Sequence, residues 1–154
     1  MSKISDQFIP LNIAVLTVSD TRNESTDTSG KALVERVENE GHHLITKQIV
    51  KDDIYQLRAV VSEWIANEKI HVIISTGGTG FTDRDNTPEA ITPLFDKQVE
   101  GFGETFRAIS LTEIGTSTIQ SRAFAGMANH TVIFCVPGST NACKTAWEDR
   151  KSVV

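Results

Sequence analysis

Ile73-Ile74-Ser75-Thr76-Gly77-Gly78-Thr79-Gly80, continuing as Phe81-Thr82-Asp83-Arg84-Asp85-Asn86-Thr87-Pro88-Glu89, is the stretch that decides how the chain folds. A short apolar run enters a loop with glycine at three of four positions, and Thr87-Pro88 then marks a helix start. Glycine allows a positive φ and a close approach to the main chain. Amides turned outward in such a loop, with a helix N-terminus beside them, make an anion site. Carboxylates next to a phosphate site make chemical sense when Mg²⁺ lies between them, so Asp83 and Asp85 suggest a phosphorylated ligand with a metal. The same residues also read as a tight strand-to-helix turn with Asp85 or Thr87 capping the helix.

Working outward, Leu11–Ser19 is almost wholly apolar and β-favouring, as expected of a strand buried on both faces of a parallel sheet. Asp20–Asp27 is a polar loop, and Thr28-Ser29-Gly30 opens a helix that Gly41 ends. His43–Val50 reads as a more exposed strand. Ile54, Leu57, Val60, Val61, Trp64 and Ile65 form one apolar helical face. After the central stretch, Thr87–Phe95 reads as a short helix, and Gly101-Phe102-Gly103 breaks the chain before a helix through Phe106, Ile109 and Leu111. Thr116–Thr118 reads as a loop and Ser121–Met127 as helical. Thr131–Val136 is a last buried strand, Pro137-Gly138-Ser139 a loop, and Ala142, Cys143, Ala146 and Trp147 lie on a final helix. Alternating strands and helices imply right-handed crossovers and an α/β three-layer sandwich with a mostly parallel sheet. Ligands bind such sheets at the carboxyl ends of the strands, where Asp20–Gly30, Asp52, Thr76–Asn86 and Pro137–Thr140 are expected to converge.

The chain has 154 residues, the size of one domain. Its net charge of −5 argues against a general nucleic-acid binder and against an anionic membrane surface. The same charge demands local compensation if the ligand is a phosphate. Cys135 and Cys143 have neither zinc nor C-x-x-C spacing, which suits a reduced cytoplasmic protein. No apolar run approaches the ~20 residues of a membrane span, and Met1–Asp6 lacks the apolar core of a signal peptide.

Generic nucleotide motifs fail here. No Gly-Lys-Ser/Thr follows the glycines, and the third place of a dinucleotide fingerprint holds Asp83. There is no Gly-x-Ser-x-Gly elbow. Asp53 and Asp83 read as solvated charges, Arg84 as an ordinary surface charge, and Lys51 as the better phosphate contact. Asp85 is placed to hold a metal or polarise a nucleophile. His42 and His43 point apart, and His71 and His130 are expected to serve backbone groups. Ser139 could cap a helix or touch a ligand, and spacing leaves both open.

Thr76-Gly77-Gly78-Thr79-Gly80 with Arg84-Asp85-x-Thr87-Pro88-Glu89 resembles the signature of the MogA/MoaB family of molybdenum-cofactor biosynthesis. Ser19-Asp20 with Asp27-x-Ser29-Gly30, Gly101-Phe102-Gly103-Glu104 with Arg107, and Pro137-Gly138-Ser139 resemble further family blocks in the same order, from Phe8 to about Trp147. Glu100–Glu104 and Ile114-Gly115-Thr116-Ser117-Thr118 look closer to the MoaB branch. The resemblance implies a molybdopterin-binding fold and, in active members, adenylylation of molybdopterin by Mg-ATP with release of pyrophosphate. By position it puts the two acidic residues of that reaction on Asp52 and Asp85, both as catalytic groups and as Mg²⁺ contacts. Ser19, Asp20, Ser29, Gly30, Thr76, Gly77, Gly78, Thr79, Gly80, Glu104, Pro137, Gly138 and Ser139 would bind nucleotide or pterin. It also implies a homotrimer or homohexamer acting with other proteins of the pathway.

The alternative within the same fold is a protein that holds molybdopterin or its precursor without transfer, and some MoaB-branch proteins are thought to be of that kind. A weaker one is an unrelated nucleotide-binding oligomer. Residues 1–148 are expected to be the domain. Asp149–Val154 resembles the translation of a sequencing adapter and is expected to be a non-native tail.

Overall fold

The computed structural model describes residues 7–153, with side chains for residues 7–148. Six strands, β1 (Asn12–Val18), β2 (His43–Val50), β3 (Val72–Thr76), β4 (Lys97–Gln98), β5 (Phe124–Ala128) and β6 (Thr131–Val136), form one sheet in the order β2-β1-β3-β6-β5-β4. β2, β1, β3 and β6 run parallel, in a register that sets Thr17 beside Thr76 and Thr76 beside Val136. β5 and β4 add an antiparallel edge. The helices are α1 (Thr28–Asn39), α2 (Ile54–Ala66), α3 (Thr87–Ile91), α4 (Glu100–Ile114) and α5 (Thr140–Val153).

Strand side chains alternate between faces, and here both faces are covered. Ile13, Val15, Ile74, Phe134 and Val136 pack under α1, α4 and α5 with Leu33, Phe102, Phe106 and Trp147. Ala14, Leu16, Val18, Ile73 and Ile133 pack under α2 and α3 with Leu57, Val61, Trp64 and Ile91. That double burial is why β1 and β3 read as continuous apolar runs. It also makes the architecture the expected three-layer α/β sandwich.

Two expectations need correction. Ser121–Met127 is not helical: Phe124–Ala128 is β5, paired antiparallel with β6. Alanine and methionine favour a helix locally, but tertiary packing overrides them. Ala125 buries under α4 and Phe124 packs near Phe95, while the Phe95 ring fills the place a Cβ on Gly126 would take. The hairpin closes at Asn129 and His130, both at positive φ, as a primed turn requires. Nor do Gly101 and Gly103 break the chain. α4 begins at Glu100, and Gly103 lies where Ala123 O and Arg107 leave no room for a side chain. Thr116–Thr118 belongs to a 3₁₀ segment, Gly115–Gln120. The side chains of the expected tail, 149–154, lie outside the described residues, and the backbone of α5 runs to Val153. His71 does serve the backbone, its Nδ1 accepting from Asn12 N–H at 2.9 Å. Phe8 stays largely exposed while resting near the His42 ring.

Candidate functional site

The four loops expected at the carboxyl ends of β1, β2, β3 and β6 do meet, and hydrogen bonds stitch them together. Ser19 N–H donates to Val50 O and Gly77 N–H to Val136 O, both at 2.9 Å. The Thr76 hydroxyl donates to Pro137 O at 3.0 Å. Thr87 fastens the glycine turn twice, its hydroxyl donating to Gly77 O at 2.9 Å and its N–H to Gly78 O at 3.0 Å. Thr87 therefore closes the turn and does not cap α3, and Asp85 does not cap it either.

Gly77 and Gly78 have φ of +106° and +71°. A Cβ on Gly77 would lie 2.3 Å from Val18 O, and one on Gly78 would lie 2.2 Å from the Thr87 hydroxyl and 2.8 Å from Asp52 Oδ2. The glycines are thus required first by the protein's own close packing, before any ligand is considered. With only five residues, α3 contributes little helix dipole. Among the helices that start at this end of the sheet, α5 begins directly after Gly138-Ser139. Ser139 caps it, its hydroxyl accepting from Ala142 N–H at 3.0 Å.

Two carboxylates flank the turn with opposed acidities. Asp85 is half-buried. Burial raises its pKa, but hydrogen bonds from the Thr82 hydroxyl (2.7 Å), Thr82 N–H (3.0 Å) and Gly80 N–H, with the charge of Arg122, bring it below the ordinary value. Asp52 is 4% exposed, and burial pushes its pKa up. Asn86, whose N–H donates to Oδ1 at 2.9 Å, opposes that rise, and the charges of Asp85 and Asp20 add to it. The two neighbouring carboxylates are thus shifted in opposite directions, Asp85 towards the ionised form and Asp52 towards the protonated one.

Asp20 accepts from Asp52 N–H at 3.1 Å and takes both arms of Arg84, Nε and Nη2, at 2.8 Å. The Arg84 bonds lower its pKa to about 2. Asp53, read as a solvated charge, is the N-cap of α2, accepting from Tyr55 and Gln56 N–H. Behind the first loop, Asp27 accepts from the Thr17 hydroxyl at 2.7 Å, Gly30 N–H at 2.9 Å and Lys47 Nζ at 2.7 Å. Burial raises Asp27's pKa, and these three bonds outweigh burial and lower it.

A crevice of about 420 Å³, open to solvent, lies over the turn. Val18, Gly77, Gly78, Thr79, Gly80 and Asp85 make one wall, Pro137 and Gly138 the base, and Ile114, Ser117, Gln120 and Ser121 the opposite wall. Its size suits a drug-sized or nucleotide-sized ligand. The other expected site residues do not line it. Thr76 is buried beneath it and Asp52 sits behind Gly78. Ser19 and Asp20 belong to the adjoining first loop, with the Ser19 hydroxyl accepting from Thr21 and Arg22 N–H. Ser29 and Gly30 are buried at the start of α1, and Glu104 is exposed on α4.

Arg122 was not singled out from the sequence, and the far wall was given no site role there, although Ile114 and Ser117 fall in the MoaB-like block. Arg122 donates to Gly80 O (2.9 and 2.6 Å) and Asp85 O (2.9 Å), pairs with Glu89 and lies over the Phe81 ring. It holds the outer half of the glycine loop to α3. Ile114, apolar yet exposed outside the core, was the available signal for the wall. Both cysteines are buried and free. Burial raises their thiol pKa values, that of Cys143 to about 11, which removes them as nucleophiles.

Among the described residues no group of three or more His, Cys, Asp or Glu side chains gathers as a metal cage. Mg²⁺ does not need one, because it commonly takes one or two carboxylates and completes its shell with water and ligand phosphate. The hard oxygens of Asp52 and Asp85 fit that mode. No helix among the described residues is long and apolar enough to cross a membrane.

Residues 14–152 match the model of a family described as a probable molybdopterin binding domain. Molybdenum cofactor biosynthesis protein B of Escherichia coli (strain K12) is 57% identical over 149 residues, spanning 97% of this chain and 88% of that protein. The crystal structure of the tungsten cofactor synthesizing protein MoaB from Pyrococcus furiosus superposes with a TM-score of 0.83 at 40% identity, covering 93% of this chain and 91% of that one. A MogA structure shares the fold, with a TM-score of 0.82 over 92% of this chain and 93% of that one, at 23% identity.

Proposed function

The chain belongs to the probable molybdopterin binding domain family, and on that premise we propose that it acts in molybdenum-cofactor biosynthesis, adenylylating molybdopterin with Mg-ATP. In that reaction a terminal phosphate oxygen of molybdopterin attacks the α-phosphorus of ATP. The bond from the α-phosphorus to the bridging oxygen breaks, and pyrophosphate leaves. Phosphoryl and nucleotidyl transfers depend mainly on positioning and charge stabilisation, and the glycine turn with its flanking carboxylates supports this reading.

The observation that carries the reading is the placement of Asp52 and Asp85 on either side of the glycine turn with acidities shifted in opposite directions. The amides of Gly77–Gly80 would bind phosphate oxygens, and the start of α5 would add dipole and amides from the base. Asp85, kept ionised by Thr82, would orient the reactants from the crevice wall. Asp52 would accept a proton or hold the anionic cluster in register from behind Gly78. Mg²⁺, held by Asp85 and Asp52, would neutralise phosphate charge as it develops. Ile114, Ser117 and Gln120 offer a wall part apolar and part hydrogen-bonding, suited to a flat heterocycle. Exposed Leu111 and Ile119 suit a contact with another copy of this chain, and the proposal takes the assembly to be a homotrimer or homohexamer, acting in the cytoplasm with other proteins of the pathway.

The test is to incubate the protein with molybdopterin, ATP and Mg²⁺ and to measure pyrophosphate and the adenylylated pterin. Turnover is expected in the wild type and a loss of about 10²-fold or more in Asp85→Asn. Activity that survives Asp85→Asn overturns the role given to that residue.

A second reading has its own support. Asp52 is nearly sealed from solvent and its Oδ1 already serves Asn86, so the loop cluster is also stable as a plain binding site. Molybdopterin or precursor binding without turnover would select it.

A further inference from the structure

The proposed reaction leaves Arg84, at this end of the sheet, without a task. Its guanidinium reaches from the glycine loop to the first loop and grips Asp20 with two parallel bonds, Nε to Oδ2 and Nη2 to Oδ1, each 2.8 Å. Both partners are solvent-facing, with side-chain exposures of 60% and 33%. Exposed pairs of this kind add little to stability. The pair is therefore poor cement for the fold, although it joins two loops 64 positions apart in sequence.

The other arginine here differs in kind. Arg122 is tied to the carbonyls of Gly80 and Asp85 and to Glu89, and cannot leave without releasing the loop. Among the described residues, the Arg84 side chain donates to Asp20 alone, while the carboxylates of Asp52 and Asp53 also act on its charge. Its neighbour Asp85 lines the crevice. A guanidinium fork that fits a carboxylate in two bonds fits a phosphate in the same way. A phosphoanhydride brings more charge and more acceptor oxygens than Asp20 can offer.

We infer that Arg84 and Asp20 form a latch that a phosphoanhydride opens, the ligand taking the Arg84 fork from Asp20 as it enters the glycine crevice. Asp20 is then a built-in competitor. It keeps Arg84 from binding weakly charged anions and yields to a diphosphate or triphosphate chain. Asp20 also keeps a second bond, from Asp52 N–H, so it stays beside the crevice after it releases Arg84. The inference rests on the proposed reading that the crevice takes a nucleoside triphosphate.

The experiment is calorimetric titration with inorganic pyrophosphate at fixed ionic strength and without Mg²⁺, on the wild type, Arg84→Gln, Asp20→Asn and the double variant. Arg84→Gln should weaken binding by about tenfold or more, the scale of losing hydrogen bonds to a charged group. Asp20→Asn should tighten binding several-fold. In the Arg84→Gln background that gain should disappear, because no fork remains to be released. Equal gains with and without Arg84 would mean that Asp20 acts only as a nearby negative charge, and would overturn the latch while leaving the nucleotide reading intact. Absence of pyrophosphate binding by the wild type both without Mg²⁺ and when the titration is repeated with it would overturn both. Because the pair is exposed, all four proteins should melt within a few degrees of one another, and a fall confined to one variant would show a structural role instead.

Discussion

Asp52→Asn is the substitution in which stability and activity are expected to part. The side chain is 4% exposed, and its Oδ1 accepts Asn86 N–H at 2.9 Å. An amide keeps an acceptor in that position. The loss is then the difference between a charged and a neutral acceptor, about 1 kcal/mol. Set against this is the removal of a charge that burial and the carboxylates of Asp85 and Asp20 all disfavour. The upward shift of Asp52 means that these unfavourable influences exceed the hydrogen bonds, so the neutral isostere should leave the fold unchanged or stabilise it by up to about 1 kcal/mol, as is common when a functional charge is removed. In a domain of this size 1 kcal/mol moves Tm by about 2–4 °C, so the melting temperature at pH 7 should rise by between about 0 and 4 °C. Turnover should fall by about 10²-fold or more if the carboxylate acts in proton transfer or charge neutralisation. Calorimetric melting and pyrophosphate release on the same preparation read both quantities. A drop in Tm larger than about 4 °C would show that the charge is structural, its attractions outweighing its burial. Turnover within about twofold of wild type would remove Asp52 from the chemistry.

Asp27→Asn tests the frame behind the site. It breaks the buried contact with Lys47, whose side chain is 12% exposed and keeps only Glu24 at 3.0 Å, and a cost near about 3 kcal/mol is expected. The folded pKa of Asp27 is depressed, so its contribution is complete above the ordinary carboxylate value of about 3.9 and is lost as pH falls through the lower, folded value. The raised pKa of Lys47 carries its share up to alkaline pH, so the gap in Tm between wild type and variant should be wide at neutral pH and close only in strong acid; a gap that does not change with pH would refute the ion-pair account. Gly78→Ala forces a Cβ to 2.2 Å from the Thr87 hydroxyl at a φ of +71°, and should lower Tm and abolish pyrophosphate binding. Gly101→Ala is the control, since nothing lies within 4 Å of its Cβ and the residue is inside α4, where alanine is favoured by about 0.5–1 kcal/mol.

What could be read in the sequence follows from how local each signal is. β1, β3 and β6 were legible because burial on both faces removes polar residues, and α2 because one face alone is apolar. The loop positions at the strand ends followed from the sheet topology. β5 was not legible, because Phe124-Ala125-Gly126-Met127-Ala128 carries a helix-compatible composition and owes its extended form to Phe95, 29 positions earlier than Phe124, and to β6. The start of α4 was misplaced for the same reason: Gly103 is small because Ala123 O and Arg107 crowd it, a cause invisible in a single chain. In the site, the acids and glycines stood out by type, but their partners did not. The Arg84–Asp20 contact and the grip of Arg122 on Gly80 join segments 64 and 42 positions apart, and arginine has no spacing rule that would reveal either.

The net charge of −5 posed a difficulty for a phosphate site, and the two arginines resolve it in different ways. Arg122 spends its donors mainly on carbonyls, so its positive charge is only partly neutralised, by Glu89, while its bonds give Thr79–Asp85 a fixed shape. That charge adds to the Thr82 and Gly80 hydrogen bonds that bring the Asp85 pKa below its ordinary value. Arg84 spends its donors on a carboxylate, so its charge is cancelled until something more anionic arrives. A site holding Asp20, Asp52 and Asp85 would repel a polyphosphate if every cation were as closely paired as Arg84 is, and would bind any anion if every cation were free. One cation fixed to the backbone and one exchangeable between carboxylate and phosphate give a crevice that excludes weak anions yet admits a strongly charged one. That division of labour, more than the glycines alone, would make an acidic protein selective for a phosphoanhydride.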